Sequence, residues 1–389
     1  MGSDSTSAIL DKSSSVAAVI AGAPHVAEIA ARCSDETEAT GRLAPDVVEA
    51  LREAGFARHF VPAAFGGVDG RFADMTSSVL LVGEGCASAA WIASLSTYAA
   101  RYGAYLPLEG QAVLWGEGPD ALMAGALVPA GKAERVSGGW RLSGEWGYIS
   151  GLRFADWIFA CSVVSDALGP DGRSQECFFA VPQTDVTVKE TWSTLGMRGT
   201  CTDTMVLDDV FVPDHLVLSR SDLSAGRPAA SEARCHKVHV RILGALPLAV
   251  PVVAAARGAL RAAVDHELRG APVSKKVSAQ MDRSAAEVDA AELLVQRAAR
   301  VADGVEAAEE GEAMVRGARD FAMAVELSVS AVKRLFRSTG PQSHFDHDPV
   351  QRFWRDINTA ASHFIFSFDI AGAAYGAWAL GADSAKPRH

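Results

Sequence analysis

Positive charge is in short supply: 36 lysines and arginines face 47 aspartates and glutamates, leaving a net charge of −11 and a pI near 5.4. That balance argues against a nucleic-acid binder, because phosphate backbones demand the opposite sign. The six cysteines (Cys33, Cys86, Cys161, Cys177, Cys201, Cys235) contain no CxxC pair, a pattern that suits reduced thiols and a cytoplasmic setting. The longest apolar run, ILGALPLAVPVVAAA at 242–256, falls short of a bilayer span and is broken by Gly244, Pro247 and Pro251, so no membrane segment is expected. The opening MGSDSTSAILDKSSS lacks the basic and apolar regions of a signal peptide. No GxGxxG follows a strand-like run, which leaves no evident nicotinamide site. With 49% hydrophobic and 21% charged residues, the chain reads as an ordinary soluble globular protein long enough for two or three packed units.

What is present changes texture twice. From about residue 15 to 115 the pattern is helical and alanine-rich. APDVVEALREAGF places Pro45 in a first turn, repeats apolar residues at helical spacing and stops at Gly55, and SSVLLVGEGCASAAWIASLSTYAA reads as a buried helix. Strands separated by Ser-Gly and Gly-Gly turns then run to about residue 215, predicting a small β-barrel or sandwich. Helices return over about 236–268, 276–304, 308–338 and 348–380, as a bundle requires. The expected units are an N-terminal helical domain (1–117), a β-domain (118–228) and a C-terminal four-helix bundle (229–389), a mostly α member of the α+β class.

The last helix carries the residues of most chemical interest. Asp348-Pro349 reads as an N-cap with proline in the first turn. Helical spacing from Arg352 runs through Arg355 or Asp356 and Thr359 to His363, between apolar residues on the other faces. The helix is therefore buried on most sides, and His363 lies inside or at the lip of a cavity, where it needs a partner. The stretch alone favours a core histidine bonded to a carbonyl over a functional one. Cys235 to His239 (CHKVH) and His344 to His347 (HFDH) each lack a full metal-ligand set, and no metal is expected.

Four motifs resemble the acyl-CoA dehydrogenase fold, in order and across nearly the whole chain: VPAAFGG at 61–67, LSGEWGYISGLRFADW at 142–157, LGMRGTCTDTMVLDDVFVP at 195–213 and QRFWRDINTAASH at 351–363. A dehydrogenase of this family needs a carboxylate base. The usual place for it, eight residues after the aspartate of the Arg-Asp pair, is Phe364, and the other known place falls near Val240. Asp369 is the nearest conceivable substitute. The histidine closing RDINTAASH instead resembles the two-component flavin monooxygenases, such as the oxygenase component of 4-hydroxyphenylacetate hydroxylase and related hydroxylases of natural-product pathways.

That resemblance implies reduced FAD or FMN (FADH2 or FMNH2) supplied by a separate NAD(P)H-dependent flavin reductase, molecular oxygen bound as a C4a-hydroperoxide, and oxygen transfer to a small electron-rich aromatic such as a phenol, an indole or a polycyclic intermediate. His363 and Ser150 take the catalytic places. Trp146, Tyr148, Ser150, Gly151 and Arg269 take the flavin-contacting ones, Tyr148 standing where the family stacks a tryptophan and Arg269 where it meets the cofactor phosphate. Arg355 and Asp356 are expected to form a structural ion pair. The Ala-rich helices at 242–263 and 360–380 predict a homotetramer built through the bundle. An N- or S-oxygenating monooxygenase of the same fold is the first alternative; an acyl-CoA dehydrogenase and a non-catalytic assembly protein follow.

Overall fold

The structure, a computed structural model, describes residues 7–168, 174–268 and 275–381. Six helices precede the sheet: α1 (Ser7–Arg32), α2 (Ser34–Thr40), α3 (Pro45–Glu53), α4 (Phe72–Gly85), α5 (Ala87–Ala100) and α6 (Leu108–Trp115). The strands are β1 (Met123–Ala126), β2 (Lys132–Val136), β3 (Gly139–Ile149), β4 (Trp157–Leu168), β5 (Ser174–Pro182), β6 (Thr187–Lys189), β7 (Asp203–Pro213) and β8 (Val217–Ser219). They form one mixed sheet in the order β6-β7-β3-β2-β4-β5-β8, with β1 added parallel to β4. After it come α7 (Arg220–Ala225), α8 (Arg234–Lys237), α9 (Val240–Leu243), α10 (Leu246–Leu268), α11 (Lys275–Ala302), α12 (Glu310–Ser338), α13 (Pro349–Ala361) and α14 (Phe368–Ala379). The order of helices, sheet and helices is the one anticipated from the motifs, with the strands joined in a single mixed sheet.

Three stretches of sequence produce only two cores. Val79 and Val82 of α4 and Ala90 and Ile92 of α5 pack in one cluster with Val250, Val253 and Ala254 of α10 and Ile357 of α13. The N-terminal helices therefore share an interior with the bundle. The second cluster is the sheet, with Phe159, Phe178 and Phe179 at its centre, and it reaches Ala99 and Ala100 at the end of α5. Helix α5 is buried along nearly its whole length, which explains why its sequence shows no polar face. Its hydroxyls hold both sides together: Ser94 donates to the Pro247 carbonyl at 2.7 Å, and Ser96 accepts from Met123 N–H at 3.1 Å.

Several expected helices are divided. The stretch around 77–100 breaks at Cys86, extended at φ −157°, beside Gly85, where a β-carbon would stand 2.1 Å from the Ala27 carbonyl of α1. The stretch from 236 becomes two short turns and then α10, separated by Gly244 at φ +48°, a conformation that side chains oppose. Val240–Leu268 is long and apolar enough to cross a membrane, yet 72% of its apolar window is buried within the protein, as the central helix of a core. The last expected helix, 348–380, begins as foreseen: Asp348 accepts from Val350 N–H at 2.8 Å and Pro349 fills the first turn. It then stops at Ala361, and α14 starts only at Phe368.

Helices α4 and α10 cross at Gly83, where an added β-carbon would lie 2.2 Å from Cβ of Ala254. Gly83→Ala gains about 1 kcal/mol of helix propensity, but overpacking a tight core costs about 1–3 kcal/mol. A lower urea midpoint is expected; an unchanged or higher one would show that the crossing can relax.

Candidate functional site

The carboxyl end of β3 is where the sheet meets α5. Between Trp146 and Ile149 the pairing of β3 with β7 shifts register, and Tyr148 adopts φ +60°. Bulges re-aim side chains, and a positive φ in an aromatic residue is strained backbone kept in place by its surroundings. Here the result is a Tyr148 ring 83% exposed two residues from a hydroxyl. Gly151, at φ +75°, follows and donates its N–H to the Thr200 carbonyl at 2.9 Å. Its role is to turn the chain.

Ser150 sits in a line of polar groups. Trp91 of α5 donates its indole N–H to Ser150 Oγ at 3.0 Å; Ser150 Oγ lies 2.8 Å from Thr202 Oγ1, which lies 2.7 Å from Thr200 Oγ1. Thr200 in turn donates to the Met197 carbonyl at 2.8 Å. Trp91, Thr200 and Thr202 were not singled out from the sequence, although GTCT lies inside a motif that was. Their relevance depends on a contact between residues 59 positions apart.

The same residue, Met197, reaches α13. Its N–H donates to Asp356 Oδ1 at 2.5 Å, while its carbonyl also accepts from Trp192 Nε1 at 2.8 Å. Met197 is left-handed at φ +55°, and Gly196 lets the loop lie on α13, since a β-carbon there would stand 2.4 Å from the Arg355 carbonyl. The expected Arg355–Asp356 ion pair is corrected. Arg355 binds Glu38 at 2.7 Å and the Leu195 carbonyl at 2.6 Å, whereas Asp356 points into the interior. Adjacent helical positions diverge by about 100°, as 3.6 residues per turn requires. Burial pushes the Asp356 carboxyl up to about 6; Glu38 adds to this, and Met197 N–H, Arg355 and Arg352 oppose it.

His363 falls in the break between α13 and α14. It is half-buried, and its Nδ1 accepts from Ile365 N–H at 3.3 Å as the cap of a short 3-10 turn. Its ring stacks on Phe364 with centroids 4.8 Å apart. Burial lowers its pKa, so the imidazole is neutral at pH 7. With Nδ1 accepting, the neutral ring carries its proton on Nε2.

Other expected site residues are placed differently. Trp146 is buried in the sheet core, with its indole N–H on the Cys161 carbonyl at 2.7 Å and Gly131 against its ring. It supports the strand and presents no face to a ligand. Arg269 lies outside the described residues. Asp369 is exposed in the first turn of α14. Cys235 and His236 come together with Asp69, their donor atoms within 4.8 Å. Both His236 nitrogens are already engaged, Nδ1 with Ser231 Oγ at 2.6 Å and Nε2 with the Phe60 carbonyl at 2.7 Å. His239 caps α9 by accepting from Arg241 N–H at 3.1 Å.

The groups at the end of β3 fit a flavin. An exposed flat ring beside a hydroxyl with an unused lone pair suits a planar heteroaromatic that carries a polar edge.

Residues 246–368 match the family described as acyl-CoA dehydrogenase, C-terminal domain. The chain is 34% identical over 379 residues to the FADH2-dependent resorcinol hydroxylase oxygenase component of Rhizobium sp. (strain MTP-10005), covering 92% of each chain. It is 29% identical to the flavin-dependent monooxygenase oxygenase subunit HsaA of Rhodococcus jostii (strain RHA1), covering 90% of this chain and 94% of the other. Among solved structures it resembles the 3-HSA hydroxylase of Rhodococcus sp. RHA1 (TM-score 0.86, 26% identity, 95% and 98% coverage). XiaF from Streptomyces sp., solved with FADH2 and glycerol, is similar too (TM-score 0.85, 27% identity, 98% and 100% coverage).

Asp356 yields a prediction with a sign. Its folded pKa of about 6 is above the usual carboxyl value, so its charged form weighs against folding once the pH has risen through that range, and the penalty is relieved as pH falls from about 6 toward 4. Asp356→Asn keeps an acceptor for Met197 N–H and avoids the charge. Its stability relative to wild type should improve as pH rises from 4 to 7 in thermal melts. Asp356→Ala leaves a buried N–H unpaired and should cost about 1–3 kcal/mol; a pH-independent Asn difference would refute the buried charge. The chain belongs to the oxygenase components of two-component, reduced-flavin-dependent monooxygenases built on the acyl-CoA dehydrogenase fold.

Proposed function

We propose that this oxygenase hydroxylates a small electron-rich aromatic, a phenol, an indole or a larger polycyclic, using reduced flavin delivered by a separate NAD(P)H-dependent reductase. The observation that carries the reading is the pairing of an exposed Tyr148 ring with the Ser150 hydroxyl at a bulged strand end, in a chain whose relatives are named as hydroxylase oxygenase components. When bound, reduced flavin would supply the two electrons that activate dioxygen, one oxygen atom going to the substrate and the other leaving as water. Tyr148 provides a stacking face, Ser150 meets the polar edge of the ring, and Gly151 holds the turn that presents both.

His363 is the proton-bearing group of this reading. Its Nδ1 is spent on Ile365 N–H, so Nε2–H is what it offers. That favours hydrogen-bond donation to oxygen over removal of a substrate proton. Heteroatom oxygenation remains the second reading, distinguished by product analysis alone.

A screen of phenols, indoles and polycyclic aromatics with added flavin reductase, NADH and oxygen tests the activity. Hydroxylated product is expected only when the reductase is present; product from NAD(P)H, oxidised flavin and oxygen alone would refute the two-component reading. Removing a positioned acid commonly costs about 10²- to 10⁴-fold. His363→Ala should therefore lower hydroxylation at least about tenfold with little change in melting temperature, since the ring is only half-buried. Normal coupled turnover would reduce His363 to a turn cap.

The protein is also proposed to be a cytoplasmic homotetramer. Helix α10 no longer supports this, because its apolar faces are used inside the chain. The support is α14 and the break before it, where Phe364, Ile370 and Leu380 are exposed in a way that single soluble chains seldom tolerate as a group. Light scattering at micromolar concentration should return four times the chain mass of 40.8 kDa; a monomer would overturn the proposal.

A further inference from the structure

The hydroxyl line at Ser150 has a direction. One end is the Trp91 indole N–H, which can only donate; the other is the Met197 carbonyl, which can only accept. Between them stand three hydroxyls, each with one proton to give. Thr200 gives its proton to Met197 O, so the bond between Thr202 and Thr200 must be donated by Thr202. The bond between Ser150 and Thr202 must then be donated by Ser150. Ser150 is left with no free proton and, after accepting from Trp91, with one free lone pair. Thr200 and Thr202 are both buried, so water does not readily reset the order.

We infer that Thr202 and Thr200 are positioning residues that lock Ser150 as a pure acceptor and thereby make the site discriminate reduced from oxidised flavin. This rests on the proposed function, in which Ser150 meets the polar edge of the flavin; N5 is taken as the atom it meets. Reduced flavin carries a proton on N5 and satisfies the Ser150 lone pair. Oxidised flavin presents a lone pair at N5, which faces another lone pair and gains nothing. A two-component oxygenase has to capture reduced flavin from its reductase and release the oxidised form, and this polarity favours both events without any movement of the protein.

The test is a gain of binding. In Thr202→Val the Ser150 proton loses its acceptor and becomes free to be donated to oxidised N5, while the hydroxyl can still rotate to accept from reduced N5. One added neutral hydrogen bond is worth about threefold to tenfold in affinity. Titration with oxidised FAD and FMN should therefore show about threefold to tenfold tighter binding to Thr202→Val, with anaerobic reduced-flavin affinity nearly unchanged. Thr202→Ser, which restores the hydroxyl, should behave as wild type. Thr200→Val reaches the same end by a separate route, since it frees the Thr202 proton to turn toward Ser150, and Met197 O keeps Trp192; it serves if the first variant fails to fold. Ser150→Ala separates the two levels of the argument. If it weakens reduced-flavin binding while neither valine variant tightens oxidised-flavin binding, Ser150 meets the flavin and the directional line is wrong. If it alters neither affinity, Ser150 does not face the flavin and both readings fall together.

Discussion

The backbone of Met197 is the point on which the site depends. Its N–H is bound by Asp356 of α13, and its carbonyl takes the Thr200 hydroxyl and the Trp192 indole. The two amides flanking one residue thus join the bundle, the loop before β7 and the hydroxyl line that ends at Ser150. Neither group can be left unpaired in a buried place, because an unpaired backbone donor or acceptor costs as much as several ordinary contacts return. The left-handed Met197 and the bare backbone of Gly196 are the local concessions that allow it.

Around that junction the elements are cross-tied. Helix α5 lies between the two cores and contributes Trp91 to the site, while Ser94 and Ser96 tie it to α10 and β1. The proposed flavin site thus has its polar groups bonded to one another without ligand, and pre-ordered groups spend little of their interaction energy on becoming ordered. Asp35 and Glu38 of α2 hold the outer side of α13 through Arg352 and Arg355. The acidic partners thus come from the start of the chain and the arginines from near its end.

Much of this was legible beforehand, for stated physical reasons. The Asp348-Pro349 cap and the Pro45 start are local signals, decided by a few neighbouring atoms, and both stand in the structure. The strand-rich middle was legible from turn residues and alternation. The helix breaks at Cys86 and at Ser362 were not, because both halves of each stretch have the helical composition; at Cys86 the break accompanies the close approach of Gly85 to α1. Trp146 and Tyr148 show the same limit at finer scale: similar residues two positions apart, one buried and one exposed, separated by a bulge that composition does not announce.

The sequence by itself determined the class of protein and its chemistry in outline, since four motifs in order, a missing carboxylate at Phe364 and the absence of a nicotinamide fingerprint are all properties of residue identity. It determined Ser150 and His363 as residues to examine, because each lies in one of those motifs at a place the resemblance makes functional. Only the tertiary structure decided what they can do. The polarity of Ser150 comes from Trp91 on one side and Thr200 and Thr202 on the other. The tautomer of His363 comes from the turn that interrupts its helix. Asp356 is a buried acceptor and no partner of Arg355 because a loop from the sheet lies against α13. Hydrogen-bond direction is settled by which donor-only and acceptor-only groups terminate a network, and those ends lie far apart in the chain.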